Sequence, residues 1–285
     1  MGGKTRKLRK HRGGDAKKPL PICQCIDVAT GAGCQRIAKE RSLFCEEHQD
    51  CPKPPLSGHE PDYNPGRWND DDAITKSHNC YNYFANYINT KSVQDCKKKK
   101  LKGCREYFAQ PGALHGDRDS LNAVKRRVCP VLEKLIMKDI PGLKKTTFYE
   151  RCPAGTSKGA MVNDEFVDFH FFLQHAHKDP KKDGLWSHKD GSNKAKDFDA
   201  LGRPIFNPEL AIRDYNWQGS NLNYDRFCGF YCVPRDKEVV LGQGGFSLTP
   251  QERRKLRALK EESRKANEIR RILLERKKQA ELKGE

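Results

Sequence analysis

Residues 23–51 constrain the chain most: Cys23-Gln-Cys25, eight residues, Cys34, ten residues, Cys45-Glu-Glu-His48, then Cys51. The segment has few apolar side chains, chiefly Ile22, Ile26, Val28, Ile37, Leu43 and Phe44. A stretch this small does not fold on hydrophobic burial alone, so bound metal must supply the folding energy. Structural zinc takes four soft or borderline ligands, usually as two close pairs brought together by a loop. Cys45 and His48 make one pair. Cys25 and Cys34 bracket Thr30-Gly-Ala-Gly33, a turn that folds Cys34 back toward Cys25. The expected site is Cys25, Cys34, Cys45 and His48 around a structural zinc ion, with Cys23 and Cys51 each placed to replace one of the four.

The chain has twelve cysteines in 285 residues, which opens a disulfide framework as another use. The start, Met-Gly-Gly-Lys-Thr-Arg-Lys, is basic with no apolar stretch behind it, so it does not read as a secretory signal. Arg6 stands where a myristoylation signal has Ser or Thr. No apolar run approaches the roughly 18–20 residues that span a bilayer. The expectation is an intracellular protein whose cysteines are zinc ligands and free thiols rather than disulfides.

Charge is concentrated at the ends. Residues 1–18 hold eight Lys/Arg against one Asp, and residues 250–285 hold thirteen against seven Asp/Glu. These tails carry +13 of the net +17, leaving +4 for residues 19–249. Basic tails find polyanions such as DNA, while the near-balanced middle does not read as a nucleic-acid reader.

The composition divides the chain into a basic disordered tail (1–20), the zinc module (21–52), a Pro-rich linker (53–75), an α+β domain (76–235), and a linker with a charged helix (236–285). A helix begins near Asn79, capped by Ser77 or Asn79, with Tyr81, Phe84, Tyr87 and Ile88 at helical spacing. A second spans 119–137. Aromatic and β-branched residues predict strands at 166–173, 185–188 and 227–233, with a hairpin connection over 177–184. Thr249-Pro250-Gln251-Glu252 starts a C-terminal helix.

Three residues of the α+β domain have the chemistry of a thiol hydrolase. Cys80 lies in the first turn of the predicted helix, where exposed N–H groups stabilise a thiolate. His170 lies in an aromatic strand, and His188 in the predicted neighbouring strand, within reach to orient the first imidazole. Nucleophile, base and orienting group are what acyl transfer to a thiol requires. Asn79 or Gln110 is placed to add an oxyanion donor.

Two resemblances bear on these motifs. The 25–48 segment resembles short Cys-Cys-Cys-His zinc modules of large DNA viruses and eukaryotes, which have Gly before the second Cys and an aromatic before the third; Gly33 and Phe44 fit. Residues 76–234 resemble papain-like proteins of the NlpC type, and a family of small uncharacterised bacterial and large-DNA-virus proteins. The shared motifs are Asn79–Tyr83 with Ala85, Asp168–Phe171, Trp186–Gly191 and Phe227–Tyr231. The resemblance implies a papain-like fold, a helix packed on an antiparallel sheet, with Cys80 as nucleophile, His170 as base and His188 as third residue. It implies a cysteine peptidase or amidase acting on a protein or peptide substrate, of large-DNA-virus origin and located in host cytoplasm or virion. The competing reading is a catalytically inactive virion structural or interaction protein whose tails contact DNA or capsid. A nucleic-acid-binding regulator is a third.

Overall fold

Six antiparallel strands organise the molecule: β1 (Lys144–Thr146), β2 (Thr156–Asp164), β3 (Asp168–Gln174), β4 (Trp186–Lys189), β5 (Ala195–Lys196) and β6 (Arg226–Pro234). They form one sheet in the order β1-β6-β2-β3-β4-β5. The computed structural model describes residues 17–116, 127–165, 167–220, 222–236 and 239–243, together with 258, 261, 262, 265 and 269. The helices are α1 (Gly66–Asn69), α2 (Asp72–Ser77), α3 (Cys80–Phe84), α4 (Thr90–Lys98) and α5 (Cys129–Asp139). The architecture is α+β, as the sequence indicates.

The three expected strands correspond to β3, β4 and β6. The central strand β2 has no counterpart among the expectations, because Thr-Ser-Lys-Gly-Ala-Met-Val-Asn-Asp shows neither alternation nor β-branched density. Its position between β3 and β6 buries it anyway. Lys158 is fully buried and donates from Nζ to Phe148 O at 2.6 Å. Gly159 lets Phe84 of α3 lie on the strand, since a Cβ there would come within 2.3 Å of the Phe84 ring.

Strand alternation splits the core in two. On one face Met161, Phe169, Phe171, Tyr231 and Val233 pack with Cys80, Tyr81 and Phe84 of α3 and Leu132 and Ile136 of α5. On the other, Ala160, Val162, Phe172, Trp186 and Phe230 pack with Ile205, Phe206, Ala211 and Tyr224. The β2–β6 register slips between Met161 and Val162, so Cys228 is the extra residue of a bulge beside Gly229, whose φ is +144°.

Helix α3 starts at a reciprocal cap. Asn82 N donates to Asn79 Oδ1 at 3.3 Å, and Asn79 N donates to Asn82 Oδ1 at 3.2 Å. It ends sooner than expected: Asn86 takes a left-handed φ of +54°, leaving Tyr87 and Ile88 outside. Of the helix expected at 119–137, the C-terminal part is α5, while residues 117–126 lie outside the described residues. The N-terminal tail through residue 16 and most of the C-terminal helix also lie outside them; residues 258, 261, 262, 265 and 269 are helical.

The Pro-rich segment 53–75 is not an extended linker. Its large apolar groups find partners: Trp68 is buried against Tyr83 with ring centroids 5.0 Å apart, and Tyr63 stacks on His175 at 4.6 Å. Ser57 Oγ donates to Thr156 O at 2.6 Å, and Asp62 bridges Ala176.

Between α2 and α3, buried His78 ties three segments together. Asn89 N donates to its Nε2 at 2.8 Å, and its Nδ1 faces Ser77 Oγ at 2.9 Å and Ile74 O at 3.2 Å. The carbonyl only accepts, so the proton sits on Nδ1 and Nε2 must stay bare. Burial, aided by the Lys189 ammonium, lowers the pKa to about 4. The folded value lies below the unfolded one of about 6.5. The stabilisation is therefore complete above about pH 6.5 and is lost as pH falls toward 4. Imidazole NMR should show the His78 ring still neutral at pH 5; a midpoint at the ordinary histidine value would refute this.

Candidate metal centre and buried histidine cluster

The first site grows from a small hairpin. Cys23 N donates to Arg36 O, Cys34 N to Cys25 O, and Asp27 N to Ala32 O. Asp27 closes the turn by accepting from Thr30 N and Oγ1 at 2.7 and 2.8 Å. A short helical turn over Glu46–His48 then brings His48 back beside Cys45.

The side chains that converge are Cys23, Cys34, Cys45 and His48, with ligand atoms all within 4.8 Å of one another. Around tetrahedral zinc, with Zn–S of about 2.3 Å and Zn–N of about 2.05 Å, S···S edges are about 3.8 Å and S···N edges about 3.6 Å. The observed edges are 3.9 Å for Cys34–Cys45, 3.5 Å for Cys23–His48 and 3.4 Å for Cys45–His48. This cluster can hold a metal ion. Three of the four expected ligands are in it. Cys25 is not: it forms a disulfide with Cys51, and Cys23 takes its place. The two candidates are two residues apart, so spacing alone does not separate them.

Further disulfides join Cys96 to Cys104, Cys129 to Cys228 and Cys152 to Cys232. The expectation of free thiols is thereby corrected: Cys96 and Cys104 pair locally, eight residues apart, while Cys129–Cys228 and Cys152–Cys232 join distant segments. Only Cys23, Cys34, Cys45 and Cys80 remain as thiols.

The hairpin is also seated on the second face of the sheet. Gln24, fully buried between two cysteines, accepts from Phe206 N at 2.7 Å and Asn207 N at 3.1 Å, and donates to Pro204 O at 3.1 Å. Tyr149 OH donates to Ile26 O at 2.8 Å, and Phe44 meets Phe206 edge-on at 4.9 Å.

The second site is a buried histidine pair. His170 Nε2 and His188 Nδ1 are 2.8 Å apart. Asp190 Oδ1 stands 3.0 Å from His188 Nδ1 and 3.3 Å from His170 Nε2. His188 Nε2 faces Phe198 O at 3.0 Å, and Lys196 Nζ holds Asp190 Oδ2 at 2.6 Å. Burial lowers His170 to about 3. Burial works to raise the Asp190 carboxyl, yet the neighbouring His188 holds it well below the usual carboxylate range.

The structure thus joins His170 to His188, as expected, and adds Asp190, which the sequence reading missed. The available signal was its place two residues after His188, just beyond β4. Cys80 stays outside the cluster. Its Sγ contacts Phe169 O at 3.9 Å, beyond the last β3–β4 pairing at Phe172. It shares a face with Phe169 and Phe171, whereas His170 packs against Phe172 and Tyr224 on the other. Burial, reinforced by the Asp168 carboxylate, pushes its thiol well above the ordinary range, opposite to the lowering expected of a helix start. Asn79 is likewise committed, donating from Nδ2 to Ala109 O at 2.8 Å.

Among curated proteins, Insoluble matrix shell protein 1 of Ruditapes philippinarum is 29% identical over 151 residues, covering 53% of this chain and 80% of that protein. No family model matches the chain. No solved structure matches it.

Proposed function

We propose that the protein is a non-catalytic structural component of an insoluble or particulate assembly, braced by disulfides and by a structural zinc ion in the Cys23, Cys34, Cys45 and His48 centre. The observation that carries this reading is the state of Cys80: buried, held against a main-chain carbonyl, and on the opposite sheet face from His170. Supporting it, the similar shell protein is by its name an insoluble matrix component. Four disulfides suit an oxidising setting, such as an extracellular matrix or a particle surface, better than a reducing cytosol. Among the described residues no helix is long and apolar enough to cross a membrane. The basic tails are the parts suited to DNA, capsid or another polyanion.

A papain-like thiol hydrolase is the second reading. Two observations favour it: Cys80 is the first residue of a capped helix, and His170 is hydrogen-bonded to His188. The two readings part on thiol reactivity. Native, oxidised protein treated with a thiol-reactive acylating probe and mapped by mass spectrometry should leave Cys80 unmodified, with labelling appearing only on denaturation. Native labelling of Cys80 that disappears in His170→Gln would overturn the structural reading in favour of the hydrolase.

A further inference from the structure

We propose that His170 Nε2, His188 Nδ1 and Asp190 Oδ1 form a second metal site, for one divalent first-row transition ion bound through three ligands on one face of an octahedron. It is separate from the zinc assigned to the N-terminal hairpin. The three atoms make a triangle with sides of 2.8, 3.0 and 3.3 Å. Ligands about 2.1 Å from a common ion stand about 3.0 Å apart when cis in an octahedron, and about 3.4 Å apart in a tetrahedron. The observed sides bracket the octahedral value.

Proton bookkeeping points the same way. Phe198 O can only accept, so the His188 nitrogen facing it, Nε2, carries a hydrogen. In a neutral ring Nδ1 then presents a lone pair, and 3.0 Å away it meets a carboxylate oxygen that is also an acceptor. His170 Nε2 completes a ring of three acceptor-capable atoms with at most one proton among them if both imidazoles are neutral. A cation at the centre satisfies all three at once.

The surroundings fit ligand duty. A metal-bound histidine usually gives its other N–H to a carbonyl or carboxylate, as His188 does to Phe198. Lys196 holds the far oxygen of Asp190 and leaves Oδ1 as a single directed donor. Both imidazoles are essentially inaccessible, while the Asp190 side chain is 23% exposed, so an ion would enter from the Asp190 side. Two imidazoles and one carboxylate suit Zn²⁺, Fe²⁺, Co²⁺ or Mn²⁺ rather than Mg²⁺ or Ca²⁺, which prefer all-oxygen shells.

The test is a cobalt titration of the full-length, disulfide-intact, metal-free chain. One Co²⁺ should bind with the thiolate charge-transfer band of the Cys23, Cys34, Cys45 and His48 centre. A second should add only weak d–d absorption and, by X-ray absorption, nitrogen and oxygen neighbours alone. Asp190→Asn and His188→Gln should each weaken the second equivalent by at least about tenfold and leave the thiolate band unchanged, with near-ultraviolet circular dichroism reporting that the sheet is folded. Should either variant fail to fold, Asp190→Glu, which keeps the charge and displaces the oxygen, should show the same selective weakening. Binding of one equivalent by the wild-type chain, or a second equivalent that both folded variants retain, overturns the site.

Discussion

Denatured without reductant, the protein should titrate four thiols, and after reduction all twelve cysteines. The four are Cys23, Cys34, Cys45 and Cys80; the rest are tied in pairs. Reduction should remove a large share of the stability. The Cys129–Cys228 and Cys152–Cys232 links join residues 99 and 80 positions apart. Chain entropy makes loops of that length the most stabilising, at about 4–5 kcal/mol for one such link. Both links end on β6, one from the start of α5 and one from the segment before β2. Cys152→Ala combined with Cys232→Ala should therefore lower the unfolding free energy by about 4 kcal/mol in urea titrations. Twelve titratable thiols in unreduced protein, or reductant-independent unfolding, would rule out this scaffold.

Metal removal should have the other large effect, and it should spread. Cys45→Ser, or a strong chelator, takes away the metal cross-link of residues 21–51 and leaves the Cys25–Cys51 disulfide as their covalent tie. Zinc binding in comparable small modules is worth about 10–16 kcal/mol. A linker over 53–75 would separate this module from the following domain, but Gln24 ties the hairpin to Pro204, Phe206 and Asn207. When the hairpin opens, Phe206 N and Asn207 N lose their acceptor, Gln24 Oε1. A buried donor left unpaired costs about 1–3 kcal/mol. Hydrogen exchange should accordingly show loss of protection at the Phe206 and Asn207 amides on chelation, alongside loss of the hairpin signals. Full protection at these amides in metal-free protein would mean that the two parts fold separately.

Local chemistry made much of the fold legible. Asn79 announced α3 because capping is a short-range event, and β3, β4 and β6 stood out by aromatic and β-branched density. β2 was hidden because its burial comes from neighbours on both sides, not from its own pattern. The metal centre was legible as a cluster and illegible in detail. Cys23 and Cys25 lie on the same stretch of hairpin, and what separates them is the partner: His48 and Cys45 near one, Cys51 bonded to the other. The His170–His188 contact followed from adjacent strands. Cys80 failed to join it because alternation sends Phe169 and Phe171, not His170, toward α3. The disulfides could not be read, since eight cysteines admit many pairings and their separations run from 8 to 99 residues.

The outer strands of the sheet bear on how such a protein assembles. β1 has three residues and β5 has two, and each carries lysine: Lys144 and Lys145 on one rim, Lys196 on the other. Short, charged rims are poor templates for recruiting a further strand from another molecule. A cross-β fibre grown by edge-on addition is therefore disfavoured by the same geometry that completes the sheet. If the protein works in an insoluble material, that material is held together by side-chain surfaces and charged termini between whole folded units, and dispersing it should require high salt rather than unfolding.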